Sequence, residues 1–381
     1  MEKSPKPIRC KAAVCRASGE PLLIEEIEVA PPGAFEVRIK IICTSLCHSD
    51  ITFWRRPVFS IYLPRIFGHE AFGIIESLGE GVKGLEVGDT VVPTFLTNCG
   101  ECKVCESENL GNFCTTVPFS VMPGMPRDRT LRFTDADGRP VNNFLGVSSF
   151  SEYTVVDVSQ VTKVDGGIPP EKACLLSCGV STGVGAVRKV AAVEAGSSVV
   201  IFGLGAVGFA VAEGARFHGA SKIIGVDINP EKFEIGKKIG LTHFVNPKDT
   251  GEKSTVEIIK EITDGGADYC FECIGLAPLM SDAFNSSRVG SGKTIILGVE
   301  IHGNPITIDS AEILCGKCII GSMFGGIKGK IDIPVLAKQY LNKELHLDEF
   351  ITHQVNFKDI NKAFDLLLQG KSLRCMIWMD Q

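Results

Sequence analysis

Two rhythms of apolar and polar positions divide the chain. From residue 10 to about 160, short runs such as "EVRIKIICTS", "AFGIIESLG", "DTVVPTF" and "SEYTVVDVS" are separated by "PPGA", "GEGVKG" and "DADG". Alternation with a period of two, bounded by Gly, Pro and Asp, predicts strands with one buried face. From about 195, the apolar strands "SSVVIFG", "KIIGVD", "DYCFECIG" and "KTIILGV" alternate with the helical segments "NPEKFEIGKKIG" and "TVEIIKEITDG". Strands alternating with helices predict βαβ units and a parallel sheet. The tail adds the helical "IDIPVLAKQYLNKELHLDEF" and "FKDINKAFDLLLQGK" and a closing strand, "LRCMIWM". The expected class is α/β, with a β-rich part beside a doubly wound parallel sheet.

At 381 residues the chain exceeds one ordinary core, so two domains are expected. A net charge of −6 disfavours a basic face, so no nucleic-acid partner is expected. The N-terminal "MEKSPKPIRCKAAV" has no apolar core of a secretory signal. The longest apolar run, "VVIFGLGAVGFAVA", is too short to span a bilayer. A soluble cytosolic protein with no membrane partner is therefore expected. In that compartment fifteen cysteines should be metal ligands where clustered and packing residues where isolated.

One cluster is dense. "CGECKVCESENLGNFC" supplies Cys99, Cys102, Cys105 and Cys114, a spacing that can close four thiolates around one structural zinc ion. Its neighbours Glu101, Lys103, Glu106 and Glu108 read as loop residues. A second set is dispersed: Cys47 in "CTSLCHSDIT", His69 and Glu70 in "FGHEAFG", and Cys178 in "LLSCGVSTGVGA". Two thiolates and one imidazole with a free position would make an open catalytic zinc site. Spacing alone does not decide whether they meet. Singly, His69 reads equally as a structural histidine and Cys178 as a buried thiol in a Gly-rich turn. The pairs Cys270/Cys273 and Cys315/Cys318 read as small core residues.

Gly203, Gly205 and Gly208 have the spacing G-x-G-x-x-G. They follow an apolar strand, open a helix and precede Asp227 at the end of "KIIGVD". In that context the loop Gly203-Leu204-Gly205-Ala206-Val207-Gly208 predicts a dinucleotide fingerprint. Backbone approaches the pyrophosphate and the acid binds the ribose hydroxyls. A carboxylate there repels a 2′-phosphate and favours NAD(H).

Together these motifs resemble the zinc-dependent medium-chain alcohol dehydrogenases, over nearly the whole chain from "RCKAAV" to "LRCMIWM". The similarity is greatest to a plant alcohol dehydrogenase-like branch, through "LPRIFGHEA" and "SSFSEYTVVDV". The resemblance implies a GroES-like catalytic domain at 1–183 and 325–381, a Rossmann NAD-binding domain at 184–324, and a homodimer joined through the Rossmann sheets. It assigns catalytic zinc to Cys47, His69 and Cys178 with Glu70 close behind, and structural zinc to the four-cysteine lobe. It makes Ser49 the hydroxyl that passes the substrate proton and Asp50 the carboxylate orienting His69. It places His48 and Arg374 near the pyrophosphate, Asp227 and Lys232 at the ribose, Thr182, Val299 and Phe324 at the nicotinamide end, and Phe95 in the substrate wall. The implied reaction interconverts an alcohol and an aldehyde or ketone by hydride transfer.

Three departures from the family pattern stand out. The step from Cys105 to Cys114 is one residue longer than usual. Thr52 replaces the relay histidine of many animal members. Pro118 stands where glutathione-dependent formaldehyde dehydrogenases carry arginine. The bulky "TFWRRPVFSIYLPRIF" and "FSVMPGMPRDRTLRF" are expected to border the substrate channel and to suit a plant metabolite larger than ethanol. An alternative on the same scaffold is a non-redox lyase, such as an aliphatic hydroxynitrile lyase.

Overall fold

A computed structural model describes residues 5–108 and 110–380. The chain divides into two compact units. The first comprises the chain through Cys178, Lys328–Asn342 and the segment from Ile351 onward; the second comprises Gly179–Ile327 and Lys343–Phe350. The unit boundaries fall at 178/179 and 327/328, and the short segment 343–350 belongs to the second unit.

The first unit is built on two sheets. One runs in spatial order Val161–Lys163, Thr90–Pro93, Glu70–Leu78, Glu36–Ser45, Arg374–Trp378 and Ile351–Asn356, with Tyr153–Asp157 also paired to Glu36–Ser45. Glu36–Ser45 therefore has three partners. Its alternating pattern predicts one wet face, yet nearly every residue is buried, because strands and core cover both sides. The polar Arg38 tolerates this by pairing with Glu76 at 2.6 Å and donating to the Lys6 carbonyl at 2.7 Å. The second sheet runs Arg65–Ile66, Ile8–Cys15, Leu23–Val29, Phe133–Asp135 and Pro140–Val141. Ile39, Ile41, Ile75, Val91, Phe144, Phe150 and Ile377 lie in their shared core. In the cysteine-rich lobe, Lys103–Glu106 form a single helical turn rather than loop.

The second unit carries a six-stranded sheet, wholly parallel, in the order His243–Val245, Lys222–Val226, Ser198–Phe202, Tyr269–Glu272, Lys293–Ile296, Cys318–Gly321. Counted along the chain this is 3-2-1-4-5-6, the doubly wound order whose switch point lies beside the first strand. That strand is followed by the glycine loop and the helix Ala206–Phe217. Two glycines there are dictated by geometry. Gly203 has φ +93°, and a Cβ at Gly208 would sit 1.9 Å from the Gly203 oxygen.

The Gly-rich stretch after Cys178 is not a turn. Gly179–Gly185 is helical and continues into a wider-wound segment, Ala186–Ala191. Its glycines permit close packing: a Cβ at Gly183 would lie 2.5 Å from the Val207 oxygen. Cys270 is a core residue of its strand, as expected. Cys315 is not. It caps the short helix Ser310–Leu314 and is exposed, while Cys318 opens the edge strand half-buried. Among the described residues no helix is long and apolar enough to cross a membrane.

Candidate active site

Strand pairing in the first unit builds the dispersed group. Ser45 and Glu70 are directly opposed across antiparallel strands, which brings the end of "IICTS" beside "HEAF". Cys47 begins the helix His48–Arg55 immediately beyond, and Asp50, in its first turn, accepts the Cys47 backbone N–H at 3.0 Å. Cys178 arrives from a separate segment whose preceding residue, Ser177, bonds both backbone groups of Ala71 at 3.0 Å. The result is one buried cluster: ligand atoms of Cys47, His69, Glu70 and Cys178 all lie within 4.8 Å of one another.

The cluster's charges are arranged around His69. Asp50 Oδ1 lies 3.2 Å from Nδ1 and also accepts the Gly68 N–H at 3.0 Å. With Nδ1 donating to Asp50, the Nε2 lone pair is left to face a cation. Burial alone would lower the imidazole pKa, but Asp50 and then Cys47 together outweigh it and hold it well above the usual value. Cys47 is pushed well below the ordinary thiol value, first by the hydrogen bond shared with Cys178 and then, against burial, by Arg374. Cys178, the proton-bearing partner, is pushed up correspondingly. Arg374 donates to both Glu70 oxygens at 2.7 Å and reaches Cys47 Sγ at 3.5 Å, and Ser45 Oγ also donates to Glu70. Glu70 is therefore held from behind. Two sulfurs and one nitrogen remain as the softer donors, with a fourth position open to an oxygen ligand. This donor set fits catalytic zinc.

Ser49 Oγ stands 3.8 Å from Cys47 Sγ. Thr52 donates its hydroxyl back to the His48 carbonyl at 2.9 Å, so it does not extend a chain from Ser49. His48 itself is exposed at the helix start. Phe95 meets the His69 ring edge-on at 6.0 Å, and Phe144 does so at 5.8 Å. A small recess beside them is lined by Phe95, Pro118, Phe119 and Leu145. The two bulky segments touch each other where the Tyr62 hydroxyl meets Met122 Sδ at 3.0 Å.

The four-cysteine lobe also closes. Cys99 and Cys105 sulfurs are 3.8 Å apart and those of Cys102 and Cys114 are 4.0 Å apart. Tetrahedral ligation at about 2.3 Å requires sulfur–sulfur distances of about 3.8 Å. Backbone N–H groups of Glu101, Cys102, Cys105 and Val117 point at the sulfurs of Cys99, Cys99, Cys102 and Cys114 at 3.3 to 3.5 Å. The Thr115 hydroxyl is the first cause of a Cys102 pKa near 5, a thiolate ready for a metal.

In the second unit Asp227 accepts the Leu204 N–H at 2.8 Å with one oxygen and the Asn229 N–H at 2.8 Å with the other. It thereby clamps the glycine loop. Lys232 is pushed down by burial, against the pull of Asp227. Thr182 is buried in the glycine-rich helix, Phe324 is buried at φ +56°, and Val299 is exposed. Gly205 caps the helix with open space before it, followed by Ala206 and Val207. Residue-by-residue reading missed Ser45, Ser177 and Phe144; cross-strand register reveals the first, and the hydrogen bonds to Ala71 the second.

Two family models match the chain: "Alcohol dehydrogenase GroES-like domain" over residues 33–166 and "Zinc-binding dehydrogenase" over 206–340. Alcohol dehydrogenase-like 7 of Arabidopsis thaliana is 58% identical over 380 residues, covering 99% of this chain and 97% of that protein. Alcohol dehydrogenase 1 of Petunia hybrida is 50% identical, covering 98% and 97%. Among solved structures, benzyl alcohol dehydrogenase of Acinetobacter calcoaceticus superposes with a TM-score of 0.86 at 31% identity, covering 98% of this chain and all of that one. With the matched domains, the doubly wound sheet and the open thiolate–imidazole site agreeing, the chain belongs to the zinc-dependent medium-chain alcohol dehydrogenases, in their plant alcohol dehydrogenase-like branch.

Proposed function

We propose that the protein interconverts an alcohol larger than ethanol with its aldehyde or ketone, using NAD(H) and two zinc ions per chain. The observation that carries this reading is the meeting of Cys47, His69 and Cys178 in one buried group with Asp50 behind the imidazole. When bound, zinc supplies Lewis acidity toward an alcohol oxygen, and NAD⁺ accepts the hydride. The chain's own residues do the rest. Asp50 orients His69, Arg374 neutralises Glu70, and Ser49 takes the proton from the substrate hydroxyl. Because Thr52 is bonded back to its own helix, that proton leaves Ser49 through solvent. Phe95, half-buried and edge-on to the imidazole, suits an apolar or aromatic substrate body, in keeping with the similar benzyl alcohol enzyme. None of the relatives named above is a lyase.

The second zinc belongs to the four-cysteine lobe, where it stiffens a loop. Residues 184–324 form the NAD-binding domain, with 1–183 and 325–381 catalytic. The clamped glycine loop takes the pyrophosphate, to which the family resemblance also assigns His48 and Arg374. Asp227 and Lys232 meet the ribose, and Thr182, Val299 and Phe324 flank the nicotinamide. Among the described residues the edge strand Cys318–Gly321 is paired on one side only, which leaves backbone for a second copy and supports a homodimer. Abundant free thiols suit the reducing cytosol.

A cofactor-linked panel of alcohols and aldehydes, run on metal-loaded protein beside a cyanohydrin control, tests the reading. Turnover coupled to NADH is expected. Cyanide release with no NADH signal would replace it with the lyase. For Ser49→Ala, kcat should fall by about a hundredfold or more with zinc content unchanged.

A further inference from the structure

A doubly wound sheet takes its ligand at the switch point, outside the carboxyl ends of its first and fourth strands. In this chain those ends are Phe202 and Glu272, paired in register on neighbouring strands. Gly203 follows the first, and the turn 273–276 follows the second. Glu272 is a carboxylate at 0% exposure to which the proposed mechanism gives no role. Its Oε1 accepts the Ile274 N–H at 2.9 Å and the Gly275 N–H at 2.7 Å, so the side chain folds back and closes the turn. Its Oε2 has no hydrogen-bond partner among the described residues. A buried carboxylate satisfied on one side costs stability, and proteins break local rules of this kind chiefly where function requires it.

The closed turn flanks the glycine loop. A Cβ on Gly203 would lie 2.4 Å from Ile274 Cγ1, so the Ile274 side chain packs directly on the first glycine of the loop, yet it remains 45% exposed. The main chain of Glu272 holds a second turn: its carbonyl accepts the Leu297 and Gly298 N–H groups at 2.8 and 3.0 Å. The two turns meet backbone to backbone. A Cβ on Gly298 would sit 2.0 Å from the Gly275 nitrogen and 2.5 Å from Glu272 Oε2. One on Gly275, which has φ +92°, would sit 2.5 Å from the Val299 carbonyl oxygen. Only glycine fits at either position. One residue thus ties the turn beside the glycine loop to the turn carrying Val299, which the family resemblance puts at the nicotinamide end. Enclosed by both turns, Glu272 acts on a cofactor through them and not by contact.

We infer that Glu272 is a positioning residue for NAD(H): by closing the 273–276 turn, its carboxylate oxygen sets the wall that Ile274 and Val299 present to the cofactor. This rests on the NAD(H) dehydrogenase reading and adds a residue to it. The position requires an acceptor that reaches two N–H groups across the turn, and it does not require a charge. Glutamine meets that requirement. Aspartate, one methylene shorter, keeps the charge and falls short of the turn. Methionine fills the space without an oxygen.

The test titrates NADH by fluorescence into zinc-loaded wild type, Glu272→Gln, Glu272→Asp and Glu272→Met. Loss of the bonds to Ile274 and Gly275 should raise the Kd about tenfold in Glu272→Asp and Glu272→Met, whereas Glu272→Gln should restore binding to within about threefold of wild type. In turnover the loss should appear as a higher KM for NAD⁺, with the KM for the alcohol unmoved and no fall in kcat. A merely structural role would move the melting temperature and leave these constants alone. A role for the charge would spare Glu272→Asp and weaken Glu272→Gln. Either result would overturn the inference and leave the dehydrogenase reading intact. Hydrogen exchange on wild type needs no variant: NADH should protect the amides of 273–276 and 297–299 together. Bound NADH with no protection of either turn would likewise overturn it. A wild type that binds no NADH would strike the NAD(H) reading itself, and this inference with it.

Discussion

Arg374 and Glu70 form a fully buried ion pair with two bonds of 2.7 Å, and the same guanidinium lies 3.5 Å from the Cys47 sulfur. One cation thus serves two anions. Glu70 sits at 0% exposure, where burial pushes its pKa up and Arg374 opposes the rise. Arg374→Met would strand that carboxylate. The expected cost is about 3–5 kcal/mol of stability, read by urea denaturation of the zinc-loaded protein. Arg374→Met with Glu70→Gln should recover most of it.

On the proposed reading, Asp50 would act on the metal through His69, whose Nδ1 it faces at 3.2 Å. Removing the carboxylate charge in Asp50→Asn, while keeping the side-chain shape, should weaken zinc retention about 10- to 100-fold. A competing chelator measures this directly, with the four-cysteine lobe as an internal control that keeps its ion.

The four-cysteine lobe is a satellite cluster around Val117, apart from the main core. Its order depends on what the sulfurs hold together. Cys105→Ser should lower metal content by one ion per chain and open residues 99–114 to proteolysis, since the remaining ligands no longer close the tetrahedron. The spectrum of cobalt bound at the Cys47–His69–Cys178 group should be unchanged.

Glu272 ends the strand beside the glycine loop and is wholly buried. One oxygen accepts the N–H groups of Ile274 and Gly275 at 2.9 and 2.7 Å; the other has no partner among the described residues. Burial raises its pKa above the ordinary 4.5, although backbone N–H groups oppose the shift. The folded state therefore binds this proton more tightly than the unfolded chain. Its stabilising contribution is full below about pH 4.5 and is lost as pH rises through the folded value. Glu272→Gln keeps an acceptor oxygen and carries no charge. It should be more stable than wild type at neutral pH, with the gap narrowing on acidification, as followed by thermal melting across a pH series.

Much of this molecule was written in local order. Period-two and strand–helix rhythms located the two sheets, because a side chain's face depends only on its own strand or helix. The four-cysteine lobe and the glycine loop were legible for the same reason: their residues lie within one short segment, so spacing sets geometry. The Gly-rich stretch after Cys178 misled, because its glycines serve close helix packing against Val207 rather than a turn. Cys315 misled too, because exposure at a helix end is not encoded in its neighbours' polarity.

What only the tertiary structure decided is the meeting of groups far apart in the chain. Motif and resemblance named Cys47, His69 and Cys178 one by one. Whether they share a centre depends on strand pairing between 36–45 and 70–78, and on Ser177 locking its segment to Ala71. The same holds for Arg374 reaching Glu70 across 304 positions, and for the turns at Gly275 and Gly298 meeting beside Glu272. Charge, burial and partner are properties of the assembled core, and no window of sequence contains them.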